Sequence, residues 1–254
     1  MCFDTDSHPP IDPVAGAATD HHRATLTASD GNEFAIYEAF AEGVGPTTGV
    51  VVLPDVRGLY HFYEELAVRL AEVGHDAIAI DYFGRTAGIG DRSDEFPYQE
   101  HVPQVTHEGL TADVAAAVGR LRQTNPDRRI FTLGFCFGGS SSWQQSASGH
   151  HLAGAIGFYG RPDGQRPQHA RTPIDLTSEM ASPILALMGG DDPGIPPEIV
   201  AEFERALEAA GVEHEVVVYE NAPHSFFDRK YDDFADDSAD AWRRVLEFIR
   251  VHSG

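Results

Sequence analysis

Residues 131–140 read FTLGFCFGGS, a stretch in which an apolar run stops at Cys136 and glycines stand on both sides of that residue. The apolar run is typical of a buried strand, and the polar segment beyond Gly139 can continue as a helix. A sharp strand-to-helix turn needs glycine around its central residue, because a bulky side chain would clash with the neighbouring backbone. Such a turn places the cysteine sulfur at the N-terminus of a helix, whose positive end favours a thiolate. The alternative is that Cys136 is a small hydrophobic residue without chemistry, as cysteines at the ends of buried strands usually are.

Strands alternate with helices on both sides of this turn. Strands are predicted at residues 24–29, 33–40, 48–54, 76–81, 129–135, 153–159, 183–188 and 213–219, the first two joined as a hairpin across Asp30-Gly31-Asn32. Helices are predicted at residues 60–73, 107–124, 138–148, 197–210 and 236–251. The alternation indicates an α/β fold with a mainly parallel central sheet and helices on both faces. Ligands of such sheets bind at the carboxyl ends of the strands.

Length and composition limit the class of protein. A chain of 254 residues suits one α/β domain, and we expect a flexible N-terminal arm over residues 1–22 and a single domain over residues 23–254. The net charge of −22 argues against nucleic acids and membranes as partners, because both carry negative charge. No stretch resembles a membrane span or a signal peptide, so we expect a cytoplasmic protein. The two cysteines, Cys2 and Cys136, indicate neither a disulfide nor a zinc site.

Two further loops follow predicted strands and carry residues that can do chemistry. Residues 189–196 read GGDDPGIP, and residues 221–227 read NAPHSFF around His224. Each loop has an ordinary interpretation, since acidic residues often form turns and a single histidine often serves only as a hydrogen-bonding group. Together with the cysteine turn they give the order nucleophile, acid, histidine, which is the chain order of α/β-hydrolase triads. In such a triad the histidine takes the proton of the nucleophile and the acid orients the imidazole, a role that Asp191 or Asp192 could fill.

From about Thr25 onward the chain resembles the dienelactone hydrolase family, the carboxymethylenebutenolidases with a Cys-Asp-His triad. The resemblance rests on three motifs: residues 134–139 (GFCFGG), residues 188–192 (MGGDD) and residues 224–226 (HSF). It implies an α/β-hydrolase fold and a triad of Cys136, Asp192 and His224, with Asp192 favoured over Asp191. It also implies cofactor-free hydrolysis of the enol-lactone ring of dienelactone to maleylacetate, in the bacterial breakdown of chlorinated aromatic compounds.

The same resemblance suggests which residues assist the nucleophile. Family members carry a glutamate after an early strand that takes the thiol proton, and Asp55 stands in its place here. Aspartate is one methylene shorter, which reduces its reach toward the sulfur. The expected oxyanion hole is formed by the backbone N–H groups of Val56 and Phe137.

A substrate carboxylate would need a cation, and three arginines are candidates. Arg85 matches one of the two arginines that bind this group in the family. The second family arginine lies four residues after the histidine, where this chain has Asp228, and Arg229 follows one residue later. Arg57 offers a different cation, or it is an ordinary arginine paired with a nearby acid.

Large aromatic residues near these motifs either line a substrate site or fill the core. We expect Trp143 to lie in the core and leave Tyr82, Phe83 and Tyr159 open. The leading interpretation is a cysteine-dependent hydrolase of an activated (enol) lactone or ester. The alternatives are hydrolysis of another ester, a thioester or a small peptide-like substrate on the same scaffold, and a non-catalytic thiol sensor. The expected partner is a small-molecule substrate, with no cofactor, and the protein is expected to be a monomer or a small homo-oligomer.

Overall fold

The computed structural model describes residues 7–17, 19–42, 48–164, 171–228 and 230–254 and contains an eight-stranded, mainly parallel sheet with helices. The strands are β1 (Thr19–Thr27), β2 (Glu33–Ala41), β3 (Thr48–Leu53), β4 (Asp76–Ile80), β5 (Arg129–Phe135), β6 (Gly154–Phe158), β7 (Ile184–Gly189) and β8 (His214–Tyr219). The α-helices are α1 (His61–Glu72), α2 (Gly84–Ala87), α3 (Tyr98–His101), α4 (His107–Arg122), α5 (Phe137–Gln145), α6 (Pro173–Leu176), α7 (Pro197–Ala210) and α8 (Ala235–His252). Two 3-10 turns lie at Val102–Gln104 and Thr177–Glu179.

The chain divides into two compact units, residues 1–130 and 131–254. In the first unit the strands follow the order β1-β2-β4-β3, with β2 antiparallel to β4 and β3 parallel to β4. Every residue of β3 (TGVVVL) is buried, as expected of a β-branched run covered on both faces. Helix α1 buries one face through residues such as Leu66 and Leu70, which lie four residues apart.

The predicted hairpin is confirmed, although its first strand is longer than its hydrophobic pattern indicates. Strand β1 pairs antiparallel with β2 from Thr19↔Ala41 to Thr27↔Glu33. The turn is closed by two backbone hydrogen bonds, from Gly31 N–H to the Ala28 carbonyl (2.9 Å) and from Ala28 N–H to the Asn32 carbonyl (2.8 Å). Strand β1 starts five residues before the predicted position, because main-chain pairing with β2 continues through polar residues that have no apolar periodicity.

In the second unit the strands follow the order β5-β6-β7-β8 and are parallel throughout. Trp143 of α5 is fully buried, its indole N–H donates to the Leu185 carbonyl (3.1 Å), and its ring packs on Phe203 with centroids 5.0 Å apart. The expectation that Trp143 belongs to the core is therefore confirmed. The buried indole and its hydrogen bond to Leu185 hold α5 against β7.

Element boundaries agree best where the sequence has a long pattern. Strand β5 and helix α7 have the predicted bounds, whereas α5 starts one residue earlier and ends three residues earlier than predicted. The short helices α2, α3 and α6 were not predicted, because four residues are too few to show a helical period. Within the described ranges, no helix combines the length and apolar character that a bilayer crossing requires. The division into an arm over residues 1–22 and one domain over residues 23–254 stays a prediction, and Cys2 lies outside the described residues.

Candidate active site

Cys136 lies between β5 and α5 in a backbone conformation that residues with a side chain rarely adopt. Its φ and ψ angles are 55° and −113°. Its N–H donates to the Phe158 carbonyl (3.0 Å), and its own carbonyl accepts from the N–H groups of Gly139 (3.0 Å) and Ser140 (3.3 Å). These bonds hold a strained residue in place, and strain of this kind is concentrated at functional sites. The half-buried thiol thus stands at the start of α5, where the sequence predicts the sharp turn.

The glycines around the cysteine are required by close backbone contacts. A Cβ atom at Gly134 would lie 1.9 Å from the Gly138 carbonyl oxygen, and one at Gly139 would lie 2.6 Å from the Phe158 carbonyl oxygen. Both distances are far below van der Waals contact, and the neighbouring atoms belong to the backbone. The turn can therefore form only with glycine at these two positions.

The acid and histidine loops meet within the second unit. His224 Nδ1–H donates to Asp192 Oδ2 (2.6 Å), and Asp192 Oδ1 accepts from the Gly194 N–H (2.8 Å). The Asp192 side chain is 2% exposed and the His224 side chain 28% exposed. Asp191 is exposed, and its N–H donates to the Ala222 carbonyl (3.0 Å). Of the two candidate acids, the structure brings Asp192 to the imidazole.

A second contact to His224 comes from a residue that the sequence left open. Tyr159 follows β6 with φ 36° and is fully buried, and its ring centroid lies 4.9 Å from that of His224. Its hydroxyl donates to Asp228 Oδ2 (2.6 Å), and Asp228 is also buried. The position to which the family resemblance assigns a second arginine is therefore filled by a buried carboxylate bonded to a tyrosine.

Asp55 organises the loop after β3 in the first unit. The carboxylate accepts from Arg57 N–H (Oδ1, 2.8 Å) and from the Tyr60 hydroxyl (Oδ2, 3.3 Å). Its own N–H donates to the Tyr63 hydroxyl (2.9 Å). Asp55 is 2% exposed and the neighbouring Val56 9% exposed. The carboxylate is thus held by these two nearby donors.

The two described candidate arginines are both engaged with acids of the first unit. Arg57 Nη2–H donates to Asp94 Oδ1 (2.7 Å). Arg85 donates from Nη2 to Asp113 Oδ1 (2.7 Å) and to the Gly109 carbonyl (3.0 Å), and from Nη1 to Asp30. Arg229 lies outside the described residues.

Another arginine, Arg92, which the sequence did not single out, is buried after β4. Arg92 donates from Nη2 (2.6 Å) and Nε (3.0 Å) to Asp81 Oδ2, and its guanidinium carbon lies 4.5 Å from the centroid of the Phe96 ring. Burial raises the pKa of Asp81, and the hydrogen bonds from Arg92 oppose that rise. Tyr82 and Phe83, adjacent in sequence to Asp81, are buried as well. The segment after β4 is therefore packed around an internal ion pair.

Potential metal ligands are grouped elsewhere. Within the described part of the chain, one set of three such side chains has its ligand atoms within 4.8 Å of one another: His8, His61 and Glu65 of the first unit. Cys136, Asp192 and His224 belong to the second unit.

Comparisons with known proteins agree with the fold and with the family resemblance. A family model described as the dienelactone hydrolase family matches residues 34–253. A relative from Escherichia coli (strain K12), named "Putative carboxymethylenebutenolidase", is 30% identical over 91% of this chain and 87% of its own length. The carboxymethylenebutenolidase of Rhodococcus opacus is 28% identical over 98% of this chain and 96% of its own. A crystal structure from Klebsiella pneumoniae, titled "Putative Dienelactone Hydrolase", superposes with a TM-score of 0.82 at 27% identity over 92% of this chain and 99% of that one.

Proposed function

Because the chain belongs to the dienelactone hydrolase family and is therefore a carboxylic ester (lactone) hydrolase with the α/β-hydrolase fold, we propose that it cleaves an activated (enol) lactone or ester through Cys136, Asp192 and His224. The observation that carries the proposal is the 2.6 Å hydrogen bond between the buried Asp192 carboxylate and His224. It is supported by the strained conformation of Cys136 at the start of α5. A non-catalytic thiol sensor does not agree with membership of a hydrolase family.

The proposed reaction begins with transfer of the thiol proton. With Nδ1–H bonded to Asp192, the Nε2 lone pair of His224 is available to accept a proton from Cys136. The thiolate attacks the carbonyl carbon, a C–S bond forms, the ring C–O bond breaks, and the enolate oxygen leaves and takes the proton held by His224. Water, deprotonated by the now neutral His224, then attacks the thioester carbonyl. The C–S bond breaks, the carboxylic acid product is released, and the thiolate takes the proton back from His224.

The groups proposed to assist this chemistry rest on the family resemblance. Phe137 is the first residue of α5, and its N–H is proposed as one oxyanion-hole donor. The N–H of Val56 is proposed as the second donor. Asp55, in the place of the family glutamate, is proposed as an alternative to His224 as the first acceptor of the thiol proton when substrate binds. The hydrogen bonds that its carboxylate accepts from Arg57 N–H and from the Tyr60 hydroxyl favour its charged form and so oppose this proton transfer.

Cysteine at the nucleophile position favours substrates with good leaving groups. Loss of an enolate from the tetrahedral intermediate can compete with loss of the thiolate, whereas loss of an ordinary alkoxide cannot, and the intermediate then returns to the starting ester. We therefore expect enol lactones and enol esters to be cleaved efficiently and saturated alkyl esters poorly.

A second candidate is a lactone or ester without the carboxylate of dienelactone. It is favoured by the buried Asp228 at the family's second arginine position and by the engagement of Arg85 with Asp30 and Asp113. Compared with a site that has two arginines, this site would have one positive charge fewer and one negative charge more, that of Asp228. It would therefore attract an anionic substrate less strongly. Three arginines, Arg57, Arg85 and Arg229, are proposed to bind a substrate carboxylate. Arg57 and Arg85 would each have to break a hydrogen bond to an aspartate in order to do so.

The experiment compares three substrates on one protein: dienelactone, an enol lactone of the same ring without the carboxylate, and a saturated alkyl ester. We expect both enol lactones to be hydrolysed and the alkyl ester to be hydrolysed far more slowly. The Cys136→Ala variant should lose turnover by about 10⁴-fold or more while keeping its thermal unfolding temperature. Acid quenching during turnover should trap an acyl adduct on the peptide that contains Cys136.

Two outcomes contradict the proposal. Retained turnover in Cys136→Ala would exclude the thiol as nucleophile. Equal rates on the alkyl ester and the enol lactones would exclude an activated substrate. A preference for dienelactone or for the enol lactone without a carboxylate shows whether the substrate is anionic and leaves the proposed reaction unchanged.

A further inference from the structure

Three side chains with metal-binding atoms meet on the surface of the first unit, and the proposed reaction uses none of them. His61 is the first residue of α1, Glu65 lies one turn further along, and His8 comes from the preceding segment. Glu65 Oε2 lies 2.6 Å from His8 Nδ1, and Glu65 Oε1 lies 3.3 Å from His61 Nε2. The two imidazole rings meet edge to face, with centroids 5.2 Å apart. We propose that His8, His61 and Glu65 bind a divalent transition-metal ion of the zinc type.

The ligand set has the composition and spacing that such an ion needs. Two imidazole nitrogens and one carboxylate oxygen, completed by water, form an ordinary tetrahedral zinc site with bonds of about 2.0–2.2 Å. Neighbouring donors in a tetrahedron of that size lie about 3.3 Å apart, which is the observed His61–Glu65 separation. His8 Nδ1 faces the other Glu65 oxygen, Oε2 (2.6 Å), and the ligand atoms of the three side chains lie within 4.8 Å of one another, so side-chain movements of about 1–2 Å would bring them to tetrahedral spacing. Imidazole ligands favour zinc, nickel, cobalt and copper over calcium and magnesium.

The location of the cluster favours binding of a cation. His61 and Glu65 are four residues apart and therefore share one face of α1. The chain has a net charge of −22, and a strongly negative field raises the local concentration of cations. The side chains of His8, His61 and Glu65 are 60%, 48% and 32% exposed, so an ion can reach them from solvent.

A bound ion would fasten the segment before β1 to α1. That segment already has a second attachment to the helix, since Val14 N–H donates to Glu72 Oε2 (3.1 Å). Glu65 and Glu72 lie seven residues apart, on the same face of α1. Metal binding at His8 would therefore lower the mobility of the segment between the two attachments.

The test measures metal binding directly on full-length, tag-free protein treated with a chelator. Zinc is titrated by calorimetry, and cobalt by the visible absorption that a tetrahedral site produces. We expect one ion per chain. The affinity for the ion should fall by about tenfold or more in each of three variants, His8→Gln, His61→Gln and Glu65→Gln. His22→Gln is the matched control, because His22 is also half-exposed and lies 3.1 Å from a glutamate oxygen, that of Glu38. It should bind the ion with unchanged affinity.

All titrations are repeated in the Cys136→Ala variant, because zinc also binds a catalytic thiol and histidine. Binding of one ion that persists in Cys136→Ala and is lost in His8→Gln supports the proposal. Zinc should also slow hydrogen exchange over residues 7–17 in the wild type and not in His8→Gln. Binding that is lost only with Cys136, binding unchanged by all three substitutions, or no binding at micromolar zinc would overturn it. None of these readouts depends on hydrolytic activity, so they are independent of the proposed function.

Discussion

The hydroxyl of Tyr159 donates a 2.6 Å hydrogen bond to Asp228, and both side chains are buried. The tyrosine follows β6 and its ring contacts His224, whereas the aspartate lies four residues after that histidine. The bond therefore ties the end of a central strand to the loop that carries the imidazole. Asp192 accepts a hydrogen bond from Nδ1 of the same imidazole. His224 is therefore held both by this hydrogen bond and by the contact of its ring with the Tyr159 ring.

Tyr159→Phe removes this bond while keeping the ring against His224. We expect kcat for an enol lactone to fall by about ten- to a hundredfold with little change in KM, because the imidazole loses part of its support. The free energy of unfolding should fall by about 2 kcal/mol, the usual cost of losing a hydrogen bond to a charged group. Steady-state kinetics well below the unfolding temperature and urea unfolding measure the two effects separately.

Tyr219→Phe is the matched control for that prediction. The Tyr219 hydroxyl donates to Asp240 (3.0 Å), a second phenol–carboxylate pair in the same unit. Its loss should destabilise the protein without lowering kcat. If both variants lose kcat in proportion to their loss of stability, Tyr159 has only a structural role.

Replacement of the two adjacent aspartates should separate their roles. Asp192→Asn keeps the volume of the side chain but removes the negative charge that orients the His224 imidazole and stabilises its protonated form. We therefore expect kcat to fall by about 10²- to 10⁴-fold. Asp191→Asn alters an exposed side chain and should change kcat by less than about twofold. The measurement is kcat/KM for one enol lactone. A larger loss in Asp191→Asn than in Asp192→Asn would reverse the assignment of the acid.

The sequence predicts the parts of this protein that are specified locally. The turn at Cys136 is set by glycines within three residues of it, and the strands β5 and β7 are short, largely apolar segments. Which of Asp191 and Asp192 contacts His224 is harder to predict from the sequence, because the two residues are adjacent and identical. It depends on a turn in which Gly194 N–H binds Asp192, and that turn directs one carboxylate inward and leaves the other exposed.

Two of the contacts between distant segments could not be predicted from the sequence. Tyr159 and Asp228 are 69 residues apart, and neither residue shows its partner in its own neighbourhood. The same holds for Arg85, which the family resemblance indicates as a substrate ligand and which the structure pairs with Asp30 and Asp113. Long-range ion pairs depend on which loops the fold brings together, and periodicity carries no information about that.

Gly134→Ala should prevent formation of the turn that carries the cysteine. The added methyl group would lie 1.9 Å from the Gly138 carbonyl oxygen, so the backbone must shift, and we expect a loss of about 3 kcal/mol or more in the free energy of unfolding together with loss of activity. Gly119→Ala is the control, because a methyl group there has no atom within 4 Å and the residue lies inside α4. It should leave activity unchanged and stabilise the helix by about 0.5–1 kcal/mol. Chemical unfolding and enol-lactone hydrolysis of both variants make the comparison.

His75 should make folding less favourable as the pH falls. Burial lowers the pKa of this imidazole below its ordinary value of 6.5, against the opposing charge of Asp76, and Nδ1 lies 2.5 Å from Thr48 Oγ1. The unfolded chain therefore binds a proton at His75 more readily than the folded chain does. The resulting loss of stability begins as the pH falls through 6.5 and is complete below the folded-state pKa.

His75→Gln should remove this contribution while leaving a polar group for Thr48. At pH 8 the variant should be somewhat less stable than the wild type, because the Thr48 contact changes. Between pH 8 and pH 5, about the range over which an imidazole titrates, the variant should lose less of its free energy of unfolding than the wild type does. Urea unfolding at both pH values gives the difference. Parallel losses in the two proteins would show that His75 titrates alike in the folded and unfolded chain, since any unequal proton uptake must appear as a difference in slope.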